Sequence, residues 1–305
     1  MSNHPELLTI RDFLRYATSR FNEAGLYFGH GTDNAWDEAA TLIMHALHLP
    51  QDVSPIVLDA RLVEAERTRL LELISLRVDK RMPMAYLIHE AWFAGLSFYV
   101  DERVLIPRSP IAELIQKQFS PWVKPERVHR ILDLCTGSGC IAIAMAQAFP
   151  EAMIDASDIS EDALAVAKIN VLRHNLEDSV ILHQSDLFKS LPAQQYDLIV
   201  SNPPYVSQQE MIDLPDEYRH EPALGLAAGQ EGLDLAKQIL AHAGEFLTPR
   251  GVLIMEVGNS EYALADCYPE LPFTWLEFEH GGGGVCMLSA EQLNEHQAAL
   301  KACSP

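Results

Sequence analysis

Apolar side chains recur at intervals of three and four from Leu7 through Ile10, Phe13, Leu14 and Ala17, which predicts an amphipathic helix. A looser stripe, Leu62, Leu70, Leu73, Ile74 and Leu76, predicts another. No strand signal interrupts residues 1–88, so this segment is expected to form a small helical domain. At Trp92 the pattern changes. The β-prone runs FAGLSFYV and RVLI, on either side of Asp101-Glu102, predict a hairpin. Ser109-Pro110 then offers a cap and a first-turn proline for a helix over IAELIQKQF. Residues 89–124 are thus expected to be a linking hairpin and helix.

After Lys124-Pro125 strand and helix signals alternate: HRILDL, GCIAIAMAQAF, AMIDASD, SEDALAVAKINVLRHN, SVILHQSD, YDLIVSN, GLDLAKQILAHAGEFL, GVLIMEVG. The strands are too rich in Val, Ile and Leu for one-sided exposure, which predicts a parallel sheet with helices on both faces. FTWLEFEH and VCMLS, joined across Gly281–Gly284, predict two strands in direct succession closing the sheet. Residues 125–305 are therefore expected to be one Rossmann-like α/β domain.

Composition narrows the partners. The chain has 305 residues, 48% hydrophobic, with 22 Lys and Arg against 43 Asp and Glu, for a formal charge of −21. Nucleic-acid binding draws most of its affinity from basic side chains displacing counterions, so no direct nucleic-acid contact is expected. A basic protein suits this surface better. No apolar run approaches the ~18 residues of a membrane span and the start MSNHPELLTI is unlike a leader peptide, so a cytoplasmic protein without membrane contact is expected. The five scattered cysteines hold no CxxC pair, and neither a disulfide framework nor a metal site is expected. His129, His174 and His183 are given no catalytic role.

Candidate chemistry gathers at two strand ends. In LDLCTGSGC, Gly137 and Gly139 stand between a strand and a helix, where missing side chains let a ligand approach the backbone and the helix N-terminus. The loop Cys135, Thr136, Gly137, Ser138 and Gly139 is one wall of a cofactor pocket. Asp158, just after the next strand, is placed to accept from both hydroxyls of a ribose, and Asp186, ending the third, stands beside an adenine. Asp133 is expected to face an ammonium, which favours S-adenosylmethionine, since a pyrophosphate would be repelled there. The spacing Gly137-x-Gly139-x-x-Ala142 also satisfies the dinucleotide fingerprint, so a hydride-transfer enzyme using NAD remains a second reading.

The other strand end carries Ser201-Asn202-Pro203-Pro204-Tyr205-Val206. An NH2 group on a conjugated carbon is a poor nucleophile because its lone pair is shared. Asn202 can accept one N–H through its side-chain oxygen and the Pro203 carbonyl the other. Pro203 and Pro204 fix the backbone, and Tyr205 can stack on the flat face of the substrate. Orientation is the chief demand. Asn202, Pro203 and Tyr205 are the candidate catalytic residues.

The tetrapeptide Asn202–Tyr205 resembles the (N/D/S)PP(Y/F/W) motif of amino-group methyltransferases, which act on adenine, cytosine or glutamine amides. The terminal hairpin resembles the antiparallel last strand of the class I S-adenosylmethionine-dependent methyltransferase fold. RMPMAYL at Arg81–Leu87, FAGLSFYV and VLIPR at Val104–Arg108 resemble the protein-glutamine N-methyltransferases, over almost the whole chain. Where the release-factor branch reads PRPETE, this sequence has Pro107-Arg108-Ser109-Pro110. That departure, with FYVDERVLIPRSP, HGTDNAWDEA and EYRHEPALGLAAG, resembles the branch that methylates the third large-subunit ribosomal protein. The resemblance implies a mostly parallel seven-stranded sheet, a helical substrate-recognition domain and S-adenosylmethionine as cofactor. It also implies a cofactor pocket including Leu187 and Asn202, where Leu187 stands in for a ring-packing Trp. A glutamine pocket made by Asn202, Pro203, Pro204 and Tyr205 follows, with Glu221-Pro222 covering the site. Methylation of a release-factor glutamine or of a nucleic-acid adenine are the alternatives, the latter needing a Lys/Arg-rich face.

Overall fold

A computed structural model describes residues 4–303, so the outermost ends of both expected domains, residues 1–3 and 304–305, lie outside the described residues. The chain divides into two compact units.

The first unit runs up to Ala91 and also takes in Pro215–His220, a return from far along the chain that the sequence reading placed with the α/β domain. Its helices are α1 (Ile10–Glu23), α2 (Ala35–Ala46), α3 (Glu64–Asp79) and α4 (Met84–Ile88). Thr9 starts α1: its hydroxyl accepts from Asp12 N while the Asp12 carboxylate accepts from Thr9 N, so two orphan donors are satisfied reciprocally. The expected stripe is buried, with Ile10, Phe13, Leu14 and Ala17 continuing to Phe21 and packing against Leu42, Ile43, Leu70 and Ile74. In α3 the buried line is Leu70, Ile74 and Arg77, so Leu76 from the looser stripe faces outward.

Arg77 is 1% exposed and organises a polar centre. Its Nε donates to Glu38 at 2.6 Å, one Nη to Glu217 at 3.3 Å and the other to the Tyr27 carbonyl at 2.9 Å. Glu217 also accepts from Tyr27 N and from Arg81. Buried charges need such partners because an unpaired ion in a low-dielectric interior is strongly disfavoured. These bonds hold the returning segment in the helical unit.

The second unit is Trp92–Leu214 with Glu221 onward, so the linking segment belongs to the α/β body. The expected hairpin is shifted: β1 (Ala91–Phe93) and β2 (Leu96–Phe98) turn at Ala94-Gly95, both with positive φ, whereas residues 103–106 form no strand. Asp101, read as part of the turn, instead pairs with Arg103. Helix α5 (Ile111–Gln116) ends sooner than expected, because Gln118 and Phe119 adopt positive φ.

The seven-stranded sheet contains β3 (Arg130–Leu134), β4 (Met153–Asp158), β5 (Val180–Gln184), β6 (Tyr196–Ser201), β7 (Leu247–Glu256), β8 (Thr274–Trp275) and β9 (Val285–Ser289). Their spatial order is β5-β4-β3-β6-β7-β9-β8. Strands β3 to β7 run parallel, and β9 is antiparallel to both its neighbours. One face, with Ile131, Leu198 and Ile254, packs under α5, α6 (Cys140–Ala148) and α7 (Glu161–Arg173). The other, with Leu132, Ile199 and Leu253, packs under α8 (Asp234–Phe246), α9 (Glu261–Cys267), α10 (Ala290–Glu295) and α11 (Gln297–Ala302). Burial on both faces explains why the strands read as continuous apolar runs. Among the described residues no helix is long and apolar enough to cross a membrane.

Candidate active site

Strand order reverses at β3, with β4 on one side and β6 on the other, and open α/β sheets bind ligands outside the strand ends at such a switch point. A cavity opens there, its space about 860 Å³ when counted out to solvent. Its walls include Cys135 and Gly137 after β3, Ser157 and Asp158 ending β4, Ser185, Asp186 and Leu187 after β5, and Asn202 and Pro204 after β6. Seven of the expected site residues therefore share one cavity.

The loop geometry follows from its glycines. Gly137 has φ +54° and an added Cβ would meet nothing within 4 Å, so its backbone is bare toward the cavity. Gly139, φ +80°, packs against α7, where a Cβ would lie 3.3 Å from Ala167. The carboxylate of Asp158 accepts from Gly137 N and from Ser160 N, both at 2.9 Å. Burial pushes its carboxyl above the ordinary range against the pull of these N–H groups. Each oxygen keeps a lone pair for a ligand hydroxyl. Burial, reinforced by Asp158 and Asp133, also pushes the Cys135 thiol up, so it stays neutral. Asp186 pairs with Lys189 at 2.6 Å.

Asp133 is placed differently from the expectation. It is fully buried and off the cavity wall. Strand alternation puts it on the Ile131 face beneath α6. There one oxygen accepts from Thr136 Oγ1 at 2.5 Å and from Ala142 N at 3.1 Å, capping a helix whose N-cap, Gly139, has no side chain. Thr136 and Ser138 are buried behind the loop in the same way. Together they shape the loop from behind.

Neither the Asn202 side chain nor the Pro203 carbonyl has a hydrogen-bond partner among the described residues. Tyr205 is off the wall of the main cavity and lines a smaller one with Val206, Glu210 and Asn259. Its ring lies on Gly258, where a Cβ would come within 2.5 Å, and its hydroxyl donates to Glu256 at 2.9 Å. Glu221 also departs from a covering role. Its side chain is fully buried, pairs with Arg108 at 2.5 and 2.7 Å and accepts from Ile106 N, so it fastens the loop whose Pro222, Leu224 and Gly225 line the cavity.

The sheet order, the bare glycine loop and the strand-end Asn-Pro-Pro-Tyr define a methyltransferase of the class I fold. The model of the methyltransferase small domain matches residues 116–215. Among solved structures, the hMettl16 catalytic domain in complex with the MAT2A 3'UTR hairpin 6 shares the fold, with a TM-score of 0.53 and 21% identity over 74% of this chain and 82% of that one. The chain is 56% identical over 94% of its length, and 95% of theirs, to ribosomal protein uL3 glutamine methyltransferases from two strains of Neisseria meningitidis. The Neisseria gonorrhoeae counterpart is 55% identical over 94% of this chain and 96% of its own. This chain belongs to the ribosomal protein uL3 glutamine methyltransferase family, and it is an enzyme.

Proposed function

We infer that this enzyme acts in the cytoplasm, transferring a methyl group from S-adenosylmethionine to the side-chain amide nitrogen of a glutamine in ribosomal protein uL3. The observation that carries the reading is the unspent pair of acceptors, the Asn202 side chain on the cavity wall and the Pro203 carbonyl beside it. Asn202 Oδ1 and Pro203 O take the two N–H groups of the target amide and turn its lone pair toward the cavity. Tyr205, fixed by Glu256 and Gly258, offers a flat face for the amide plane. The cofactor supplies an activated methyl on a good leaving group, so the protein's task is orientation. The bare Gly137 backbone, the free lone pairs of Asp158 and the wall residues Cys135, Asp186 and Leu187 fit its adenosine and sulfur portions.

The names of the relatives and the charge of −21 support a basic ribosomal protein as partner, with the helical unit as its recognition domain. Incubation with labelled S-adenosylmethionine and unmethylated uL3, followed by mass spectrometry, is expected to place the label on one glutamine. Asn202→Ala should lower transfer by about a hundredfold or more while the fold persists. Label found in nucleic acid, or full activity in that variant, would overturn the reading.

A further inference from the structure

With Asp133 behind the loop, the cavity wall carries carboxylates at Asp158 and Asp186 and one cationic side chain, Arg103. The cofactor inferred above ends in an amino acid whose carboxylate needs a donor of opposite charge in this acidic setting. Arg103 is built to supply it. Its Nε and one Nη donate to the two oxygens of Asp101 at 2.8 and 2.6 Å, and its backbone N–H also bonds that carboxylate. The Tyr99 hydroxyl completes the brace at 3.0 Å. A guanidinium held by such a fork loses little further freedom when a second anion arrives.

The brace is also fixed in place along the cavity. Asn170 accepts from Tyr99 N at 2.7 Å and donates to the carbonyls of Tyr99 and Ser138, at 3.0 and 2.9 Å. One buried side chain thereby fastens residues 99–103 to the glycine loop, which puts Arg103 at the loop end of the cavity, apart from the Asp186-Leu187 end where an adenine belongs. We propose that Arg103, oriented by Asp101, binds the α-carboxylate of S-adenosylmethionine and so selects the intact cofactor over forms lacking that group. The inference rests on the cofactor reading given above.

The test is calorimetric binding of S-adenosylmethionine and of decarboxylated S-adenosylmethionine to the wild-type enzyme and to Arg103→Ala and Arg103→Gln. Both variants should bind S-adenosylmethionine about ten- to a hundredfold more weakly, the range of a charge-assisted pair. Affinity for the decarboxylated form should change less than about threefold, which also reports an intact fold. Equal losses for both ligands, or no loss for either, would overturn the assignment and leave Arg103 to the protein substrate or to structure. If the wild-type enzyme bound neither ligand, the cofactor reading itself would fall, a separate outcome from either of these.

Discussion

The phenol of Tyr205 donates to Glu256 Oε1 at 2.9 Å, while the other oxygen of that buried carboxylate accepts from Ser109 Oγ at 2.5 Å. A single acid at the end of β7 therefore ties the methyltransferase motif to the start of α5, since Ser109 Oγ also accepts from Ile111 N. Ser109 is the residue at which this sequence departs from PRPETE, so a difference legible in the text has a physical role in holding the motif's ring.

Removing the carboxylate should loosen both ends. Glu256→Ala removes the acceptor shared by the buried Ser109 hydroxyl and the half-buried Tyr205 hydroxyl and is expected to lower stability by about 2–4 kcal/mol, and Tyr205→Phe by about 1 kcal/mol. Urea unfolding of the two variants measures this. In Tyr205→Phe the turnover number should also fall while cofactor affinity holds, because the ring keeps its place near Gly258 but loses its tether. A Glu256→Ala protein as stable as wild type would refute the clamp.

Asp133 makes stability depend on pH. Burial, opposed by Thr136 and the Ala142 N–H, pushes its carboxyl up to about 7. A raised folded-state value means the contribution is present in acid and is lost as pH rises from near 3.8 through about 7. Asp133→Asn is neutral throughout, so wild type should lose ground to it by a few kcal/mol at most between pH 4 and pH 8, at up to about 1.4 kcal/mol per pH unit. Parallel unfolding curves at both pH values would contradict this.

In the helical unit, Glu217→Ala would leave Arg77 with one acid, Glu38, beside the Tyr27 carbonyl, and deprive Arg81 of its acid. Breaking a buried network from one side is expected to cost about 3–5 kcal/mol. Limited proteolysis should then cut within Pro215–His220, which the wild-type protein protects. Unchanged melting and unchanged cleavage would show that the network is dispensable.

Much of the fold was legible because buried parallel strands must be apolar on both faces, and the strand-end loops follow from glycine and proline chemistry. What escaped has a common cause. Glu221 meets Arg108, and Glu217 meets Arg77, across long stretches of chain, and such partnerships leave no local trace. Arg103 is masked in the sequence because Asp101-Glu102 reads as a turn, although Asp-x-Arg spacing is compatible with a local ion pair. Asp133 was readable in principle. Counting alternate positions from Leu134 puts it on the face opposite Leu132, under the helix, and no longer at the mouth of the sheet. The glycine loop and Asn202 needed no such count, since they follow strand ends directly.

The excursion of Pro215–His220 into the helical unit bears on how this protein can be inherited or engineered. A recombination event that exchanged the first ninety or so residues for another recognition module would strand Glu217, an acid two residues from one re-entry point, with none of its arginines. Truncation would do the same. The helical unit and the catalytic body are thus compelled to travel together, and a chimera built at the obvious boundary near Ala91 would need its donor's copy of the 215–220 loop grafted with it.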